Sequence, residues 1–137
     1  MGSIVDRLIS VVDQNNEREF VRGEWDCTIF CFEVLRPESV DLIKGKYKSR
    51  KGALALIARL GGFEPTIAKL GGEEISLNRL RTGDLCKVIS SKINEGGRGD
   101  RFDQTIGIFN AGSVLCVQEV GMVKYPKSYI EKAWRFD

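Results

Sequence analysis

The stretch EWDCTIFCFEV, residues 24–34, sets a cysteine directly behind an aspartate at what its pattern marks as a helix start. Residues 26–35 form an apolar and aromatic run that stops short of Pro37, whose ring disfavours helical geometry in the residue before it. The run is short enough for a strand, but the pattern predicts a buried helix with Asp26 as its N-cap. Cys27 then lies in the first turn, where the positive end of the helix dipole favours thiolate. Glu24 and Asp26 oppose that, because nearby negative charge raises a thiol's pKa. The two effects are of similar size, so the residues alone leave open whether Cys27 is a nucleophile or a small core residue beside Cys31, its neighbour at i+4.

Upstream, SIVDRLISVVDQ puts Ile4, Val5, Leu8, Ile9 and Val12 on one helical face, with Ser3 and Asp6 in capping-box spacing. Downstream, SRKGALALIARLGG predicts a helix with Ser49 near its start, Ala53, Leu54, Leu56, Ile57 and Leu60 inward, and Gly61 and Gly62 ending it. Pro65 in a first turn, with Ile67 and Leu70 ahead of Gly71, predicts a short fourth helix.

After Gly83 the pattern changes. DLCKVIS, QTIGIFN and SVLCVQEV are short β-branched runs divided by Gly and Asn, which predict an antiparallel meander, and MVKYP suggests a further strand. The polar, glycine-rich segment at residues 91–103 is expected to be a loop, and residues 127–133 a last helical turn, with Trp134 and Phe136 covering the core. Helices first and strands afterwards imply an α+β fold within one domain, residues 1–137.

Composition narrows the chemistry. The chain has 137 residues, 42% apolar and 29% charged, and 21 basic against 19 acidic residues give +2, too slight a balance to imply a polyanion partner. No apolar stretch approaches the roughly 18 to 20 residues that cross a bilayer, and no basic region, apolar run and cleavage site open the chain. The expectation is a protein without a signal peptide or membrane partner that folds in a cytoplasm. Cys27, Cys31, Cys86 and Cys116 sit in apolar contexts and are expected as free thiols. There is no histidine, which removes the commonest general base, proton shuttle and metal ligand; no metal or cofactor is expected.

Seven short motifs occur in order: WDC at 25–27, GKY at 45–47, GA at 52–53, GG at 61–62, GDL at 83–85, IGI at 106–108 and AWR at 133–135. Single motifs such as GDL are weak, but the ordered set resembles a family of small tailed-phage and prophage proteins, itself similar to the NlpC-type cell-wall endopeptidases. That resemblance spans nearly the whole chain. It implies a papain-like NlpC-type fold, with N-terminal helices packed on a small antiparallel sheet. In the NlpC-type enzymes a DC at a helix start supplies the nucleophile, GDL begins the first strand, and an HVGIY-like strand supplies the histidine base. Cys27 matches the first, and Gly83, Asp84 and Leu85 match the second. The third lands on TIGIF, so Thr105 stands where the histidine should be, and the third polar residue falls near Val117 or Gln118.

That departure weighs against a peptidase. Histidine serves as base for the thiol and acid for the leaving amine, and threonine does neither. Asp26, Glu24 and Asp103 are the remaining carboxylates for a remnant mechanism, yet an ionised carboxylate is a poor acid for expelling an amine. The expectation is therefore a non-catalytic structural or assembly protein of a phage or prophage tail tip, made in the bacterial host cytoplasm and then carried in the virion tail. Its partners would be other tail proteins. The alternative is a cell-wall hydrolase or acyltransferase that uses Cys27 without histidine. Trp25 and Asp26, if they line the old cleft, are candidate binding residues for a partner's peptide.

Two further motifs have simpler readings. KGKYKSRK, residues 44–51, carries five basic residues around Tyr47 and could touch nucleic acid, but a solvated turn and helix start explain it, and near-balanced net charge favours that. Arg98, Gly99 and Asp100 spell an integrin-type tripeptide that recurs by chance.

Overall fold

The computed structural model describes residues 3–89 and 105–137. Helix α1 (Ile4–Asn15) starts at a complete capping box: Ser3 Oγ accepts from the Asp6 amide and the Asp6 carboxylate accepts from the Ser3 amide. Its inward face is Ile4, Leu8, Val11 and Val12, whereas Val5 and Ile9, expected inward, are exposed. At about 3.6 residues per turn, Ile4, Leu8 and Val11 follow one line, and Val5 and Ile9 lie a step round it, beyond the reach of the core beneath.

Helix α2 (Cys27–Leu35) is apolar on nearly every side and is buried on nearly every side, with only Thr28 and Glu33 half-exposed. It ends at Arg36, and Pro37 opens a 3-10 turn, Pro37–Leu42. Helix α3 (Arg50–Arg59) has Ser49 as its N-cap, its Oγ accepting from the Gly52 amide, and buries Leu56 while Ala53 and Leu60 pack at the core's margin. Gly62, at φ +106°, closes α3 and opens α4 (Phe63–Lys69).

Among the described residues six strands follow: β1 (Glu73–Ile75), β2 (Leu85–Val88), β3 (Ile106–Asn110), β4 (Ser113–Gln118), β5 (Gly121–Pro126) and β6 (Ile130–Arg135). They form one antiparallel sheet in the order β1-β6-β2-β3-β4-β5. The meander expected from the sequence is β2 to β5, including the strand at MVKYP. The architecture is α+β, with α2 laid against β3 and β4. No helix among the described residues is long and apolar enough to cross a membrane. The expected loop at 91–101, the RGD tripeptide and Asp103 lie outside the described residues.

Two strands depart from expectation. The short edge strand β1 was not foreseen, and the helical turn expected over 127–133 is confined to a 3-10 turn at Lys127–Tyr129, after which the chain runs as β6. The reason lies in the pairing: Lys87 faces Lys132 but Val88 faces Ile130, so Glu131 is an extra residue on β6. That bulge turns Ile130 back to the face of Ala133 and breaks the two-residue alternation by which a strand is read from sequence.

Both faces of the sheet are buried along its inner strands. Leu85, Ile106, Ile108, Leu115, Val117 and Trp134 meet the helices, while Cys86, Val88, Phe109, Val114, Cys116, Ile130 and Ala133 form a second cluster. Gly107 permits the tight pairing at the centre of the sheet. A Cβ there would fall 2.3 Å from the Leu115 carbonyl oxygen and 2.6 Å from Cys116 Sγ. Backbone cannot yield as a flexible side chain can, so Gly107→Ala is expected to cost about 3 kcal/mol of overpacking, read as a lower urea midpoint at unchanged slope.

Candidate functional site

The segment before α2 is a closed turn. Val21 and Trp25 exchange two backbone hydrogen bonds of 3.0 and 2.8 Å, and Gly23 between them takes φ +88°. Its carbonyl accepts from the Gly45 amide at 2.8 Å, and a Cβ on it would sit 1.9 Å from the Tyr47 carbonyl oxygen, so only glycine lets the two turns touch.

Asp26 joins them. It is 1% exposed, and its Oδ1 accepts from the amides of Thr28 (3.1 Å) and Ile29 (2.9 Å) as the N-cap of α2. Its Oδ2 accepts from the Gly23 amide (2.9 Å) and from the Tyr47 hydroxyl (2.6 Å). Burial, and then the negative charge and hydrogen bond of Asp26, push the Tyr47 phenol well above its ordinary range, so it remains a donor. WDC and GKY are therefore two halves of one hydrogen-bonded unit. Both oxygens of Asp26 are thus engaged as acceptors, two donors to each.

Cys27 is the first residue of α2 and is 7% exposed, with its Sγ 3.9 Å from Thr28 Oγ1. Trp25 is buried beside it, edge-on to Phe30 at 6.0 Å and covered by the Arg18 guanidinium at 4.8 Å from its ring centre. Trp25 and Asp26 thus occupy the interior, and neither presents an open wall to a peptide. Thr105 precedes β3, where its carbonyl accepts from the Val88 amide at 2.9 Å. Its side chain is 1% exposed and its hydroxyl has no hydrogen-bond partner among the described residues, the Cys27 thiol included. Val117 is buried, Gln118 bonds the Tyr125 hydroxyl at 3.4 Å, and Glu24 is exposed.

The other thiols are interior and free. Burial raises all three: Cys31 and Cys116 stand well above the usual range, and burial with the charge of Asp84 pushes Cys86 up to about 12. No group of three or more His, Cys, Asp or Glu suited to a metal occurs among the described residues.

GDL and AWR also meet in space. Asp84, nearly buried, receives the Arg135 guanidinium through Nε at 3.0 Å and a terminal nitrogen at 2.8 Å, together with the Arg81 amide at 2.8 Å. Arg135 also donates to the Arg79 carbonyl at 2.6 Å, so one side chain ties the start of β2, the end of β6 and the turn before them. A family model described as a domain of unknown function, DUF6950, matches residues 4–136. The chain belongs to that family. No curated protein and no solved structure matches it.

In this DUF6950 domain the pairing of Tyr47 with Asp26 and of Arg135 with Asp84 is what sequence reasoning missed. The signal was present, since each pair falls within the ordered motifs, but nothing in a motif says which other motif it touches. Asp26→Ala removes a cap and leaves a buried phenol and the Gly23 amide unpaired, so a loss of about 3 kcal/mol is expected, and Tyr47→Phe should lose about 2 kcal/mol. Chemical denaturation of the two variants checks both values.

The raised thiols also set a pH dependence. Below the ordinary thiol value of 9.0 both folded and unfolded chains keep their protons; above it the unfolded chain releases protons that Cys86 holds until about 12. Stability is therefore full below that value and falls as pH rises through this window. Urea midpoints taken across it should decline steadily after a flat region at neutral pH.

Proposed function

We propose that this DUF6950 domain is a non-catalytic assembly component, a papain-like NlpC-type scaffold without its base that binds neighbouring proteins in a phage or prophage tail tip. The observation that carries the non-catalytic reading is Thr105. At the position where the resemblance puts the histidine, a buried threonine has a hydroxyl with no hydrogen-bond partner among the described residues. A thiol peptidase needs a group there that takes and returns a proton near neutral pH, and this one cannot. Asp26, the nearest carboxylate in sequence, is spent as a cap. The helix-start position of Cys27 and the laying of α2 on the sheet support the papain-like scaffold. The tail setting rests on the ordered motifs.

A second reading, a hydrolase or acyltransferase using Cys27 without histidine, draws on one feature. Cys27 is the least buried of the four thiols and stands at the positive end of α2. Alkylation of the native protein, mapped to each cysteine by mass spectrometry across pH, separates the two. Labelling confined to unfolded protein, with no release of product from peptidoglycan fragments, is the expected result. Rapid labelling of Cys27 with a midpoint below about 7, together with hydrolysis abolished by Cys27→Ala, would establish the enzyme instead.

A further inference from the structure

Segment 44–51 is a basic turn that the fold holds rigidly from beneath. Tyr47 points inward to Asp26, the Gly45 amide is tied to Gly23, and Ser49 caps α3. The lysines are thereby left outward: Lys46, Lys48 and Lys51 are exposed and Lys44 half-exposed. None of the four has a carboxylate partner among the described residues. Arginine nearby is already engaged, and by a carboxylate: Glu119, at the tip of the β4–β5 hairpin, lies 3.8 Å from Arg22 and 3.9 Å from Arg50. Two exposed aliphatic residues lie close in the chain to the two hydrogen-bonded glycines. Leu42 is 49% exposed three residues before Gly45, and Val21 is 51% exposed two residues before Gly23, to which Gly45 is hydrogen-bonded.

We infer that this surface, Lys44, Lys46, Lys48 and Lys51 bordered by Leu42 and Val21, docks an acidic protein segment that also carries aliphatic side chains. Charge complementarity selects an anionic partner, and the exposed aliphatic border suits a peptide. Nucleic acid is the poorer fit. Single strands are gripped by exposed aromatic rings as well as by charge, and the one aromatic residue of the turn, Tyr47, has its ring buried and its hydroxyl occupied. The large hydrophobic side chains exposed among the described residues are all aliphatic. Because the turn is already fixed by three anchors, binding would order side chains but little backbone, which keeps its entropic cost low. The inference rests on the reading that the domain works by binding, and it adds the chemistry of the partner.

Fluorescence titration of the full chain with a labelled peptide of alternating glutamate and leucine tests it, beside a glutamine-for-glutamate peptide and a single-stranded oligonucleotide of equal charge. Saturable binding of the acidic peptide is expected, weakening about tenfold or more between about 50 and 300 mM salt. The glutamine peptide should not bind, and the oligonucleotide should bind at least about tenfold more weakly. The double variant Lys46→Glu, Lys48→Glu should lose about tenfold or more in peptide affinity at an unchanged thermal midpoint, since both side chains are solvent-facing. Equal or tighter binding of the oligonucleotide would reassign the surface to nucleic acid. No saturable binding of the acidic peptide at low salt, or no loss in the variant, would overturn the inference. Neither result would touch the non-catalytic reading, which the alkylation and hydrolysis measurements decide separately.

Discussion

One buried carboxylate organises the N-terminal half of the molecule. Removing a charge from water costs several kcal/mol, and that cost is recovered only when its lone pairs are filled. Asp26 fills them with donors from three places in the chain: two amides of α2, the Gly23 amide and the Tyr47 hydroxyl. The start of α2, the turn before it and the turn before α3 therefore cannot move independently. Cys27, Trp25 and the basic turn take their positions from this one group.

Asp84 plays the corresponding part in the sheet. Its bidentate contact with Arg135 spans the start of β2 and the end of β6, strands that are neighbours in space and far apart in the chain. Asp26 and Asp84, both buried and hydrogen-bonded, are thus structural. This bears on function. A residue pair such as Asp-Cys at a helix start suggests chemistry only while the aspartate is free to act, and here its hydrogen bonds assign it to the architecture.

The contrast between interior and surface extends to the basic turn. Its tyrosine faces in and its lysines face out, so the same eight residues serve the fold on one side and present lysines without a carboxylate partner among the described residues on the other. A pattern that looks in sequence like a nucleic-acid contact with an aromatic platform loses the platform once the ring is buried. What remains is charge beside exposed aliphatic side chains.

Local physics was legible in the sequence. Ser3 with Asp6, Asp26 and Ser49 announce helix starts because capping depends on residues a few positions apart. The continuous apolar run after Cys27 announces burial of α2 for the same reason, and the β-branched runs announce β2 to β4. Non-local physics was hidden. The strand character of β6 depends on a bulge opposite β2, the three-residue β1 exists only through its pairing with β6, and the exposure of Val5 and Ile9 depends on how wide a core lies under α1. At the candidate site, the sequence by itself determined that no histidine could act and that Cys27 would stand at a helix start. Only the tertiary structure decided that Asp26 is consumed and that, among the described residues, the Thr105 hydroxyl has no partner and the lysines of the basic turn no carboxylate, because hydrogen bonding and burial are set by residues brought together from distant parts of the chain.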